Sequence, residues 1–323
     1  MTVQNVRHVP VLFHEVMDFL SVRPGGTYAD CTLGMGGHSE GILRQLGATG
    51  RLIAFDRDPE ALELAKARLE GVLKELGSEA PQVEFIGEAF SSIARHVPQG
   101  SLDGLLADFG ASSLHFDEAR RGFSFQADGP LDMRMDTRSG PTAQQVVNEA
   151  NERELANLIY ELGEERRSRT VARAIVRGRP IATTGQLARI VASAVPPNKN
   201  SHIHPATKTF QALRIYVNNE LDEIEALLEA APELLKPSAR LVVISFHSLE
   251  DRIAKDSIRE GAKQGIWNIL TKKPVAAGEE EIDRNPRARS AKLRAAEKTG
   301  NRDQGTGNRK PQAPGLAKRV WGV

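Results

Sequence analysis

Along the chain, short continuous or alternating apolar runs give way to stretches whose apolar residues recur every three to four positions. Val11, Leu12, Val16, Phe19 and Leu20 follow the second pattern and stop at Pro24-Gly25-Gly26, which predicts one amphipathic helix within residues 1–26. Tyr28 to Leu33 and Arg51 to Phe55 follow the first. Between them lie Gly34, Gly36 and Gly37 and the helical stretch Gly41 to Leu46, so the order is strand, glycine loop, helix, strand. Asp58-Pro59 caps a helix that should reach about Leu76, with Leu62, Ala65, Leu69 and Leu73 on one face. Val83 to Ile86, Leu102 to Ala107 and Arg240 to His247 read as the third, fourth and fifth strands, and two weaker runs lie near Trp267 to Leu270 and Ala291 to Ala296. Strands alternating with helices predict an α/β fold built on a doubly wound, Rossmann-like parallel sheet.

From 116 to 209 the strand pattern disappears. Arg121 to Phe125 and Gly129 to Asp136 read as loops, and three helices follow. The first opens on Asn151-x-x-Glu154 and should stop at Gly163; the second carries Arg169, Arg173 and Arg177 opposite Val171 and Ile175. The third opens on Thr183-x-x-Gln186 and ends before Pro196-Pro197. One further helix should run from about Phe210 to Leu235. The expected organisation is a sheet domain from 1–115 and 210–298, an inserted all-helical domain from 116–209, and a basic, disordered tail from 299–323.

Composition adds limits. In 323 residues, 40% are hydrophobic and 26% charged, which is ordinary for a soluble globular chain with a sizeable core. The single cysteine, Cys31, excludes an intramolecular disulfide and a cysteine-clustered zinc site, and fits a reducing cytoplasm. No run approaches the roughly 18 apolar residues of a membrane span. Net charge is +1 but unevenly placed: residues 284–323 hold eleven Lys/Arg against two acids, leaving a net of −8 on the rest. A basic end on an acidic body suits an anionic polymer, or is simply a solvated tail.

Candidate chemistry starts at the glycine loop. Asp56 lies twenty positions after Gly36 at the end of the second strand, where an acid can take both hydroxyls of a ribose. A dinucleotide fingerprint would place a small residue sixth from Gly34; this chain has Ser39 there and a bulky His38 fifth. That spacing suits S-adenosylmethionine, an adenosine with an amino-acid tail and no phosphate, better than NAD. Phe90, after the third strand, is either an adenine contact or a core residue. Asp108 leaves the carboxyl end of the fourth strand, the ligand edge of such sheets. His247, Glu250 and Asp251 either line a pocket or cap a helix. His202-x-His204 is a weak metal pattern, and no metal is expected.

Several long segments resemble one family when read together. They are Thr32-Leu-Gly-Met-Gly-Gly-His-Ser39, Asp108-Phe-Gly-Ala-Ser-Ser113, Arg121-Gly-Phe-Ser-Phe125, Leu131-Asp-Met-Arg-Met-Asp136, Phe210-Gln-Ala-Leu-Arg-Ile215, Ser245-Phe-His-Ser-Leu-Glu-Asp-Arg252 and Asn285 to Arg294, in that order. From about His8 to Lys298 the chain resembles the bacterial small-subunit ribosomal RNA cytosine-N4 methyltransferases, the MraW type. The resemblance implies a class I methyltransferase sheet and S-adenosylmethionine-dependent methylation of a cytidine N4 in the decoding region of 16S rRNA, within the small ribosomal subunit. Cofactor contacts would then fall on Gly36, Gly37, His38, Asp56, Phe90, Asp108 and His115. Where the family has a glutamine after the Ser-Ser pair, this chain has His115; an imidazole cannot present a carboxamide's donor and acceptor together.

An exocyclic cytosine amine is a poor nucleophile and needs an acceptor for its proton. Asp108 with Ser112 is the candidate by position, unless Asp108 serves the cofactor alone. Arg134, Lys208, Arg214, the stripe of Arg169, Arg173 and Arg177, and the segment from Asn285 to Arg294 are candidates for holding RNA, and plain solvated faces otherwise. Two rival readings remain: an NAD-dependent oxidoreductase on the same kind of sheet, and a non-catalytic ribosome-assembly factor. Oligomeric state is not legible.

Overall fold

Val11, Leu12, Val16 and Leu20, the apolar side of the first expected helix, are all buried. The helix itself is shorter than the pattern, α1 (Phe13–Leu20), because Leu12 and Ser21 at its two ends adopt left-handed backbone. The computed structural model describes residues 10–195 and 204–300. Among these no helix is long and apolar enough to cross a membrane. The chain divides into two compact units, one of residues 10–110 and 223–300 and one of residues 111–222.

The first unit begins α1, β1 (Thr27–Asp30), α2 (Gly37–Leu46), β2 (Arg51–Phe55), α3 (Pro59–Leu76), β3 (Gln82–Ile86), α4 (Ile93–His96) and β4 (Leu102–Asp108). Asp58 caps α3 by accepting from Glu60 N, as its position before Pro59 predicts. β1, β2 and β4 are buried on both faces, which is why they read as continuous apolar runs, while β3 at the sheet edge is only partly buried. Ile53 and Phe55 enter one core with Ala29, Leu105 and Ala107. Leu52 and Ala54 enter the other with Tyr28, Leu43 and Leu106.

The second unit holds α5 (Ser113–Asp117), α6 (Ala143–Glu149), α7 (Glu152–Gly163), α8 (Ser168–Arg177), α9 (Thr184–Ala194) and α10 (Thr207–Val217). Reciprocal caps open α7 at Asn151 and Glu154 and α9 at Thr183 and Gln186, where the sequence placed them. α7 stops at Gly163 as expected, with Glu164 after it in left-handed backbone; Gly163 also allows close approach, since a Cβ there would lie 2.5 Å from the Lys208 carbonyl oxygen of α10. α10 therefore packs with the inserted helices, not with the sheet as expected. The single helix predicted from 210 to 235 is two, broken where Asn219 turns to φ +50°.

The chain returns to the first unit through α11 (Glu220–Leu234), β5 (Leu235–Ser245), α12 (Ser248–Lys263), β6 (Trp267–Ile269), α13 (Glu279–Arg284) and β7 (Lys292–Lys298). The sheet order is β3-β2-β1-β4-β5-β7-β6. β1 to β5 pair in parallel, and β7 runs antiparallel to both β5 and β6. Strand order reverses between β1 and β4, the switch point at which doubly wound sheets bind ligands.

Candidate functional site at the carboxyl edge of the sheet

Three neighbouring strands lead to an acid at this edge. β1 delivers Asp30, β2 is followed by Asp56, and β4 delivers Asp108. The glycine loop between β1 and α2 is fastened on all sides. Asp56 Oδ2 accepts from Gly34 N at 2.8 Å, and Leu33 N donates to the Phe55 carbonyl at 2.9 Å. Arg68 of α3 donates to the Met35 carbonyl at 3.1 Å. Gly36 caps α2 at φ +74°, a conformation costly for other residues. At Gly37 a Cβ would meet Pro10 Cγ at 2.4 Å. These two glycines let the helix N-terminus sit where its unbonded N–H groups favour an anion such as a carboxylate.

Thr32 ties β1 to β4, its Oγ1 accepting from Asp108 N at 2.6 Å. Asp30 is 1% exposed and accepts from Ser39 Oγ at 2.6 Å and Thr32 N at 3.1 Å. Burial pushes its carboxyl up to about 6, the two hydrogen bonds hold it partly down, and the charge of Asp56 adds to the rise. Asp108 is raised well above the ordinary carboxylate range, first by burial, then by Asp30 and Glu250. Its Oδ1 has no hydrogen-bond partner among the described residues, while Oδ2 lies 3.7 Å from His38 Nε2. His38 is 6% exposed and stacks on Phe13.

Phe90 follows β3 in a short 3-10 turn, half-buried, its ring tilted against Phe109 with centroids 6.2 Å apart. Glu250, fully buried, and His247 open α12 as a reciprocal cap, and Glu250 accepts from Phe246 N at 2.7 Å. Asp251 pairs with Arg294 at 2.8 Å. Of the two readings left open for this trio, capping and ion pairing describe their observed bonds, while Glu250 also acts on Asp108 through its charge.

The structure thus gathers Gly36, Gly37, His38, Asp56, Phe90 and Asp108 in the sheet unit. Asp30 joins them unforeseen, although the strand-end rule that singled out Asp108 applies equally to it. Arg68 carries no sequence signal, because nothing in a helix pattern shows which arginine reaches a neighbouring loop.

Ser112 and His115 belong to the helical unit. There the Ser112 backbone N–H donates to His115 Nδ1 at 3.0 Å, and the buried imidazole stacks on Phe123. Arg134 holds Asp132 with two bonds of 2.8 and 2.9 Å, and Arg214 holds Glu220 likewise at 2.9 and 2.8 Å. Asn218 accepts from Met135 N and donates to the Met133 carbonyl, and Arg121 donates to the carbonyls of Arg134 and Met135. The loop predicted at 129–136 is thereby rigid without regular structure. Arg169, Arg173 and Arg177 are exposed along α8, with Arg173 3.3 Å from Glu152, and Lys208 Nζ donates to the Glu164 carbonyl. His204 Nδ1 accepts from Ala206 N, and its ring lies against Phe125. His202 and the Pro196-Pro197 pair lie outside the described residues, as do 301–323 of the expected tail.

An acid-lined, glycine-bounded edge on this strand order can hold a ligand carrying hydroxyls and positive charge, and can take up a proton. Comparison with known proteins narrows the chemistry. Proteins named ribosomal RNA small subunit methyltransferase H are 68% identical over 292 residues in Acidobacterium capsulatum, covering 90% of this chain and 98% of that relative. The one in Koribacter versatilis is 58% identical over 296 residues, covering 91% and 95%. The one in a Nostoc species is 49% identical over 300 residues, covering 92% and 95%. The sequence profile of the MraW methylases matches residues 5–299. With a match that spans both units, this chain belongs to the MraW methylase family.

Proposed function

We propose that this protein methylates the exocyclic N4 of a cytidine in the decoding region of 16S rRNA, with S-adenosylmethionine as methyl donor. The observation that carries the reading is Asp108, a half-buried acid of raised pKa whose Oδ1 is buried and unpartnered, at the switch point of the sheet. The residues present fit the donor. A carboxylate has roughly four acceptor sites, so Asp56 can hold ribose hydroxyls while it fastens Gly34. Phe90 offers an apolar face to adenine, and the α2 N-terminus with Gly36 and Gly37 suits the tail carboxylate. When bound, S-adenosylmethionine supplies an electrophilic methyl group on a cationic sulfonium.

The remaining steps are the protein's. The Asp108 carboxylate would accept an N4 hydrogen, which draws the amine lone pair out of conjugation, and would take the proton as the N–C bond forms and the sulfonium–methyl bond breaks. A carboxyl raised above its ordinary range is better matched to that task near neutral pH. His38, beside Oδ2, orients the carboxylate. The acids also weigh against a nicotinamide dinucleotide, whose pyrophosphate they would repel. Attack at cytosine C5 would need a cysteine nucleophile. Cys31 is buried in the core with its thiol pushed well up by that burial, then by Asp30.

For RNA, the exposed arginines of α8 are the surface of choice. Arg134 and Arg214 are held by carboxylates, so we assign them to shaping the helical unit. The test is mass spectrometry of 16S rRNA from a strain lacking the gene. N4-methylation of one cytidine should vanish and return on complementation; its persistence in the deletion overturns the reading.

A further inference from the structure

We infer that a basic pocket on the outer edge of the sheet holds a backbone phosphate of the substrate, an inference that rests on the RNA-directed function proposed above. The pocket encloses about 290 Å³. Lys255 and Arg259 of α12, Lys272 just after β6 and Arg294 of β7 line it, with the Thr271 hydroxyl and the apolar Ile269 between them. Four cations face one cavity, and no acid lines it.

How these cations are held shows which can receive a ligand. Arg294 is 8% exposed and fixed through Nε to Asp251, so its guanidinium is positioned at the wall. Thr271 is 6% exposed and its Oγ1 accepts from Ala295 N, which leaves the hydroxyl hydrogen to donate. Lys255 has a loose contact of 3.4 Å with Asp256. Arg259 and Lys272 are exposed and have no ion-pair partner among the described residues. A fixed guanidinium, a fixed hydroxyl and mobile cations around them match the donors that position a phosphate without reading a base.

Location selects RNA over an acidic protein segment. β6 is antiparallel to β7, which is antiparallel to β5, which is parallel to β4. β6 therefore exits at the same edge as β4, so Thr271 and Lys272 leave the sheet on the side where Asp108 does. Three strand spacings separate the two exits, roughly 14 Å at about 4.8 Å each. A few nucleotides of extended single strand span that distance, so a cytidine at Asp108 brings a flanking phosphate within reach. Ile269, 38% exposed, gives the adjoining sugar an apolar rest.

The test substitutes Arg259→Glu and Lys272→Glu together in the full-length protein. Two probes are used, protein-free 16S RNA and small ribosomal subunits, both from the deletion strain. Affinity for each should fall about tenfold or more, and its dependence on log salt should become shallower by about one to two. Cofactor affinity and kcat at saturating RNA should be unchanged, which also reports an intact fold. Affinity and salt slope equal to wild type overturn the inference. Weakening confined to the protein-bearing subunits also overturns it, in favour of an acidic protein ligand. Binding is read apart from catalysis: a wild-type protein that binds RNA with this salt dependence but transfers no methyl breaks the functional proposal alone.

Discussion

Asp108 and Asp132 carry the same carboxyl group, one in each unit, and their surroundings treat it in opposite ways. Around Asp132, burial alone would raise the pKa, but two hydrogen bonds from Arg134, with its charge and that of Arg121, hold it below the ordinary range. Around Asp108 burial acts in the same direction and the neighbours add to it, because they are Asp30 and Glu250. The helical unit neutralises its acids internally, as the buried Arg214–Glu220 pair also shows. The sheet edge accumulates acid instead. Ionising these acids without a cation costs stability, which is why their pKa values rise, and such an edge suits the binding role proposed for it.

The contrast can be broken most sharply at Asp108. Asp108→Asn should lower kcat by about 10²–10⁴-fold, with cofactor binding by calorimetry largely retained. The thermal midpoint of the protein without ligand should rise, most at high pH, since the amide cannot ionise among Asp30 and Glu250. A variant that lost stability as well as activity would make Asp108 a structural acid of the Asp132 kind. On the other side, Glu220→Ala removes one partner of a pair whose side chains are 12% and 5% exposed. It should cost about 3–5 kcal/mol in urea titrations. A loss below about 1 kcal/mol, the scale of exposed pairs, would erase the difference between the units.

The smallest expected effect is in pH dependence. The folded-state pKa of Asp30, about 6, lies above its ordinary value of 3.8, so the folded protein favours the protonated acid. That contribution is complete below the ordinary value and lost as pH rises through 6, on the order of 3 kcal/mol in all. Asp132 and Asp251, both lowered, act the other way and lose their stabilising effect only as pH falls below the ordinary carboxylate range. Without ligand the protein should therefore melt at a higher temperature at pH 5 than at pH 7, and Asp30→Asn should flatten the rise. A level wild-type profile over that window would mean that Asp30 is already compensated, as acids in the helical unit are.

Much of the fold was legible because its rules are local. Parallel strands buried on both faces read as continuous apolar runs, and Asp58-Pro59, Asn151-x-x-Glu154 and Thr183-x-x-Gln186 form caps within one helical turn. The misreadings came from contacts between distant segments. Helices α10 and α11 share one apolar pattern, and only the packing of Asn218 on the 133–135 loop shows why the chain turns there. Gly163 ends α7 as its type suggests, but its second task, letting α10 approach, was not visible in the sequence. Nor did the sequence show the carboxylates, Asp132 and Glu220, that hold Arg134 and Arg214.

Taken alone, the sequence determined the strand-and-helix alternation, the glycine loop, and the acids at 56 and 108, since each depends on residue type and spacing within a few positions. Tertiary structure decided what those acids experience. The Thr32 link from β1 to β4, the Arg68 bond to the loop and the burial of Asp30 join positions far apart in the chain. So does the convergence of α12, β6 and β7 on the basic pocket. Charge acts through space and through the exclusion of water, and neither is written in the order of residues.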